Sequence, residues 1–158
     1  MKLLVVLGEG GHTAQLLKLV DLLGDQYSYH YVVAKEDQLS RNHIRHLGPV
    51  HRLSRPRGKQ TGLFQAMLRT LWVTFQACGI LLRVRPAAVL HAGPAIGVPV
   101  SLVGKLLGAR IIFIESGSRV SNLSLTGRIM YRWADLFFVQ WPQLQAKWPR
   151  AIYAGRLL

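Results

Sequence analysis

Leu3, Leu4, Val5, Val6 and Leu7 form an apolar run of strand length, and Gly8, Gly10 and Gly11 stop it at once. Leu16, Leu17, Leu19, Val20 and Leu23 then recur at helical spacing, so the chain opens as strand, glycine turn and helix. The glycines let the backbone pass close to a bound group, and the new helix directs its unpaired N–H groups to the same place. Together they favour an anion, typically a phosphate. His12 stands at the start of this helix, where the positive end of the dipole disfavours an imidazolium. It is a candidate general base, and equally a candidate for a plain helix cap. The turn departs from the dinucleotide fingerprint because Thr13 occupies the place of the third glycine. Glu36 and Asp37 end the next apolar run, where a ribose-binding acid would stand, and they keep a nucleotide-binding reading open.

The rest of the chain repeats the alternation. Strands are expected over residues 29–34, 50–53, 87–90, 110–114, 136–139 and 151–154. Residues 36–46 read as a helix or an irregular crossover, and helices are expected over 63–82, 95–107, 125–134 and, as a short turn, 142–147. Continuous apolar strands alternating with helices imply a doubly wound parallel sheet, an α/β fold of Rossmann type covered on both faces. At 158 residues, half of them hydrophobic, one domain spanning 1–158 is expected. Ligands of such sheets bind beyond the carboxyl ends of the strands. Four polar segments collect there: residues 8–12, 91–94, 115–119 and 140–141. Glu115, at the end of a buried strand, reads as a base of raised pKa, as an acceptor for a sugar hydroxyl, or as the ion-pair partner of Arg119.

Charge narrows the partners. The formal net charge is +13, and between Asp37 and Glu115 there is no acidic residue, while eleven arginines and lysines fall there, among them Arg41, Arg45, Arg52, Lys105 and Arg110. One region of the surface is therefore strongly positive and attracts nucleic acid, anionic lipid or a phosphorylated substrate. The basic run is not interleaved with a stacking platform or a groove-reading helix, which argues against nucleic acid. Residues 63–82 are the most lipid-like stretch, yet Arg69 and several Gln and Thr residues make them a poor membrane span. Flanked by Arg55, Arg57, Lys59, Arg83 and Arg85, this helix suits an anionic membrane surface, with Trp72 at the interface. The alternative is a helix packed on the sheet with its arginines outside; one helix can do both. Residues 54–61, with Pro56 and Gly58, read as an exposed, mobile loop. The histidines and the single Cys78 lack metal-ligand spacing, and no cofactor is called for. No cleavable leader precedes the first strand, so a cytoplasmic setting is expected.

Four segments carry a family resemblance: GEGGHTAQLL, HAGPAIGVPVS, IFIESGSRVSNLSLTGRIMYRWADLFFVQWP and KWPRAIYAGRL. In order and over nearly the whole chain, they resemble the asparagine-linked glycosylation protein fourteen family and its bacterial capsule and exopolysaccharide relatives. The glycine turns are also similar, more distantly, to the acceptor half of the bacterial transferase that adds N-acetylglucosamine to lipid-linked peptidoglycan precursor. The resemblance implies the N-terminal half of a GT-B glycosyltransferase divided between two polypeptides. This half would bind the membrane and a polyprenyl-pyrophosphate-linked saccharide, and a separate subunit would bring the UDP-sugar; it would work at the cytoplasmic face of the membrane as a peripheral or monotopic protein. His12 and Glu115 would be catalytic. Gly8, Gly10, Gly11 and Thr13 of the first turn, Gly93 and Pro94 of the second, and Ser116 and Arg119 of the strand-end segment would hold the acceptor and its phosphates. Arg55, Arg57, Lys59, Arg69, Trp72, Arg83 and Arg85 would face the membrane, and the partner would meet residues 141–158. Two features depart from the family pattern: the transmembrane anchor of eukaryotic members is not seen, and Glu9 stands where a small residue is common.

Overall fold

A computed structural model of the chain describes residues 1–8, 10–37, 39–55 and 63–157. Seven strands form one parallel sheet in the order β3-β2-β1-β4-β5-β6-β7. They are β1 (Lys2–Val6), β2 (Ser28–Ala34), β3 (Val50–Leu53), β4 (Ala88–His91), β5 (Arg110–Ile114), β6 (Leu136–Val139) and β7 (Ile152–Tyr153). The helices are α1 (Gly11–Leu23), α2 (Leu63–Val84), α3 (Gly97–Leu106), α4 (Leu125–Trp133) and α5 (Pro142–Lys147). The expected Rossmann-like α/β sheet is thus the fold present. Residues 36–46 take the irregular option, with only a 3₁₀ turn at Ser40–His43. The segment 56–62, which includes Arg57, Lys59 and most of the expected mobile loop, lies outside the described residues, as does Glu9.

The sheet's two faces are covered unequally. On one, Leu4, Val6, Val89, Ile111 and Phe113 pack against Val73, Ala77 and Leu81 of α2, Val100 of α3, Met130 of α4 and Leu144 of α5. On the other, α1 alone among the described helices sets Leu16, Leu17 and Val20 on Leu3, Val5, Tyr31 and Leu90. Burial on both faces is why the central strands read as unbroken apolar runs. Burial pushes the Tyr31 hydroxyl up to about 12, and its proton is donated to the carbonyl of His46.

The strand order reverses between β1 and β4, which is where open α/β sheets bind ligands. Both glycine turns leave the sheet at this point. α2 is the exception to the compact pattern. Its carboxyl-terminal half packs on the sheet through Val73, Ala77, Leu81 and Val84, but from Phe64 to Trp72 every residue except Ala66 is exposed. Phe64–Val84 is long and apolar enough to cross a membrane, with mean hydropathy 1.2, yet its packed half belongs to the core.

Candidate functional site

The two glycine turns interlock, and each glycine answers a different demand. Gly10 caps α1 at φ 63°, a left-handed value that any side chain would strain. A Cβ on Gly8 would stand 2.9 Å from Cβ of Pro94, and one on Gly93 would stand 3.3 Å from Cε1 of His12. The β1 turn therefore lies against Pro94, and the β4 turn lies under the His12 ring. At Gly10 and Gly11 a Cβ would meet nothing within 4 Å, so the backbone there faces open space. The first helical N–H to find a carbonyl is that of Thr13, bonded to Gly10 O at 3.1 Å. Among the described residues the start of α1 therefore presents free donors at the exposed glycines, as an anion site requires.

Thr13 is buried and donates its hydroxyl to the Gly8 carbonyl, which tightens the turn from inside. The Ser40 hydroxyl lies 3.0 Å from both Thr13 Oγ1 and Gly8 O and donates to the carboxylate of Asp37. The other Asp37 oxygen accepts the N–H groups of Leu39 and Ser40 at 3.2 and 2.9 Å. This corrects the ribose-acid reading of Asp37, whose buried carboxylate is consumed in holding its own loop to the glycine turn. Glu36 is exposed and pairs with Arg55 at 3.5 Å. Beside this cluster an open groove of about 620 Å³ runs from Gly10 and Thr13 past Leu17 and Leu39 to Lys18, His43 and Arg45.

Two histidines meet at the β1/β4 junction. His12 is half-buried, and its Nδ1 is buried without a partner among the described residues. His91 closes β4, is fully buried, and leaves both ring nitrogens unpartnered among the described residues. It lies edge-on to Phe113 with centroids 4.9 Å apart, directly under Gly97, where an added Cβ would stand 2.3 Å from its Nδ1. Burial, with His12 nearby as the smaller cause, pushes the His91 imidazole down to about 3. The ring is neutral across the physiological range.

The third segment is built on Glu115. Its Oε1 accepts Ser116 N–H at 3.0 Å, and its Oε2 accepts the N–H and hydroxyl of Ser124 at 2.9 and 3.1 Å. A side chain on Gly127 would collide with this carboxylate. The ion pair considered with Arg119 is not formed; Glu115 is buried, and Arg119 is exposed with its N–H bonded to Ser116 O. Glu115 thus staples residues 116–124, the loop that carries Ser116 and Arg119, and Ser124 in turn caps α4 through Gly127 N–H.

A buried amide pair ties this loop to the glycine turn. Gln15 Oε1 accepts from Gln140 Nε2 at 3.0 Å and from Gly117 N at 3.4 Å, and Gln140 Nε2 also donates to Glu115 O at 3.0 Å. Gln140 Oε1 accepts Leu157 N–H, which folds the chain's end onto the site. Trp141 Nε1 donates to Gly117 O at 2.7 Å, and the Arg156 guanidinium stacks 3.7 Å above the Trp141 ring. Gln15 was not singled out by sequence; a polar residue on the sheet-facing side of α1 was the available signal.

The structure therefore gathers Gly8, Gly10, Gly11, His12, Thr13, Gly93 and Pro94 in one place, with Glu115, Ser116 and Arg119 on the adjoining loop. The residues expected to face a membrane divide. Arg55, Arg69 and Trp72 line a recess of about 540 Å³ with Glu36 and Ser54, whereas Arg83 and Arg85 stand at the far end of α2. Fourteen residues of helix separate Arg69 from Arg83, about 21 Å. Among the described residues no group of three or more His, Cys, Asp or Glu could hold a metal ion.

Comparison with known proteins places this geometry. The structure superposes on MurG of Acinetobacter baumannii with a TM-score of 0.73 at 20% identity, over 89% of this chain and 41% of that one. It superposes on a UDP-N-acetylglucosamine 2-epimerase with a TM-score of 0.76 at 17% identity, over 99% of this chain and 48% of that one. The fold is that of half a GT-B-type molecule, and the chain spans less than half of each of those structures. In sequence it is 34% identical over 181 residues to UDP-N-acetylglucosamine transferase subunit ALG14 of Mus musculus, covering 100% of this chain and 83% of the relative. It is 35% identical over 176 residues to the subunit of the same name from Schizosaccharomyces pombe, covering 97% and 81%. The family described as "Oligosaccharide biosynthesis protein Alg14 like" matches residues 3–157, and the chain belongs to that Alg14 family.

Proposed function

We propose that this chain is the acceptor-binding, membrane-recruiting subunit of a two-component glycosyltransferase. The transfer runs from a UDP-sugar to a polyprenyl-pyrophosphate-linked saccharide, and a separate subunit brings the UDP-sugar. The observation that carries the reading is the match, over the whole chain and most of the relative's length, to proteins named as a transferase subunit. The site supports it. The acceptor pyrophosphate rests at the exposed Gly10–Gly11 turn and the start of α1, where free N–H groups and the helix dipole favour negative charge. The attacking sugar hydroxyl bonds to C1 of the donor sugar as the C1–O bond to UDP breaks, and its proton passes to His12. Glu115 is better suited to positioning than to proton transfer, because both its oxygens already accept from its own loop. It presents Ser116 and Arg119 to the acceptor. Membrane recruitment falls to α2, whose Phe64, Leu68, Leu71 and Phe75 are exposed at helical spacing opposite the packed Val73, Ala77 and Leu81. The hydroxyls of Thr70 and Thr74 are turned back onto the carbonyls of Ala66 and Thr70, which makes this surface more apolar than its composition.

The test is reconstitution. The purified chain, mixed with labelled UDP-N-acetylglucosamine and membrane lipid carrying the acceptor, is expected to transfer nothing; transfer is expected to appear when the donor subunit is added. Transfer by this chain alone would overturn the proposal.

A further inference from the structure

α4 carries a pattern that neither the core nor the cleft explains. Leu125, Ile129 and Trp133 recur every four residues and are 77, 40 and 49% exposed, while Gly127, Met130 and Ala134 face the sheet. At 100° per residue the exposed stripe lies well away from the sheet-facing side, and Arg128 and Arg132, one turn apart, run alongside it. No acid lies on α4. Asp135, just beyond its end, is bound to Lys105 at 2.9 Å. α4 belongs to the same layer as α2, both packing on one sheet face with α3 between them. The α2 stripe also points away from that face. Each helix follows the carboxyl end of a strand, β3 for α2 and β5 for α4, so both begin at the edge of the sheet from which the glycine turns also leave.

We infer that the Leu125–Ile129–Trp133 stripe is a second foot on an anionic lipid surface, planted beside α2; this rests on the reading of α2 as the membrane-docking helix. The chemistry favours lipid over a protein partner. Arginines flank an apolar stripe that ends in a tryptophan, an arrangement that inserts aliphatic side chains among acyl chains and holds guanidinium groups at the phosphates. The chain's charge of +13 points the same way. A single helix leaves the molecule free to roll about its axis. Two parallel contacts on one layer fix the roll and hold the glycine turns beside the headgroups, where a lipid-borne diphosphate emerges.

The test uses the full chain and vesicles of phosphatidylglycerol and phosphatidylcholine with brominated acyl chains. Trp72→Phe removes the α2 reporter and leaves Trp133 as the exposed tryptophan, since Trp141 and Trp148 are half-buried. This variant is expected to remain strongly quenched by the bromolipid, and adding Trp133→Phe is expected to abolish most of the quenching. Arg128→Gln with Arg132→Gln should lower partitioning at low salt about twenty-five-fold, each charge contributing about five-fold. If the Trp72→Phe protein floats but is quenched no more than the double variant, α2 docks alone and the second foot is wrong. Shielding of Trp133 by an added donor subunit rather than by lipid would also overturn it. If the wild-type chain does not float at all, the α2 reading itself fails and takes this inference with it.

Discussion

His91 shows how one residue makes acid sensitivity part of this fold. Its ring fills the space under Gly97 that any other residue's Cβ would take, so the start of α3 rests on an imidazole. Protonation would place a charge in a fully buried site with no acceptor among the described residues and with His12 nearby. The folded value of about 3 lies below the ordinary value of 6.5, so the unfolded chain takes up the proton first as pH falls. The stabilisation is complete above pH 6.5 and is lost towards pH 3, at up to about 1.4 kcal/mol per pH unit. His91→Asn, planar and without a titrating proton, is expected to flatten the pH dependence of urea midpoints in this range relative to wild type. Parallel curves for the two proteins would show that His91 does not control acid lability.

The loop from Ser116 to Ser124 is an element without regular structure whose shape is set by one carboxylate. Glu115→Gln replaces an acceptor oxygen with an amide that faces backbone N–H groups, so at least one of the bonds to Ser116 and Ser124 is lost. The expected cost is about 1.5–3 kcal/mol of stability, with faster hydrogen exchange at the Ser116 and Ser124 amides. With the donor subunit present, activity should fall while the pH profile keeps its shape. Full stability with complete loss of activity would instead make Glu115 the base. Sequence carried much of this architecture and little of this wiring. β1, β4 and β5 were legible because strands buried on both faces read as continuous apolar runs, and the glycine turn was legible because Gly10 needs its left-handed backbone. The pairing of Glu115 with Arg119 failed because that spacing brings side chains together only in a helix, and residues 116–119 form a turn. Asp37 misled because an acid at a strand end looks the same whether it faces a ligand or its own loop. Gln15 and Gln140 meet across 125 residues, a contact no local pattern records. The stripe on α4 was hidden by its arginines, which make the segment read as an ordinary surface helix.

At the scale of the whole molecule, the described residues cover one face of the sheet only in part. α1 covers β1, β2 and β4, but beyond them the same face carries Ile112 of β5, Leu136 and Phe138 of β6 and Ile152 of β7. The parallel register pairs Ile112 with Leu136 and Phe138 with Ile152, so all four point the same way. Leu136 and Ile152 remain 36 and 37% exposed, and Ile112 and Phe138 are half-buried. Leu157 packs at the margin of this band, held by its bond to Gln140. A partly exposed apolar band at the margin of the sheet favours a protein surface, and on the proposed reading the donor subunit is the partner to be expected near residues 141–158. Replacing Leu136 and Ile152 by Lys keeps much of each aliphatic stem on the sheet with the charged head in water, and should lower the melting temperature of the isolated chain only slightly. It should weaken capture of the donor subunit at least about ten-fold, since a charge at the centre of an apolar interface must be desolvated without a partner. Transfer would then need a higher donor-subunit concentration but reach the same rate at saturation, because neither residue touches the glycine turns. Undiminished capture would move the interface off this face and leave the band to some other cover.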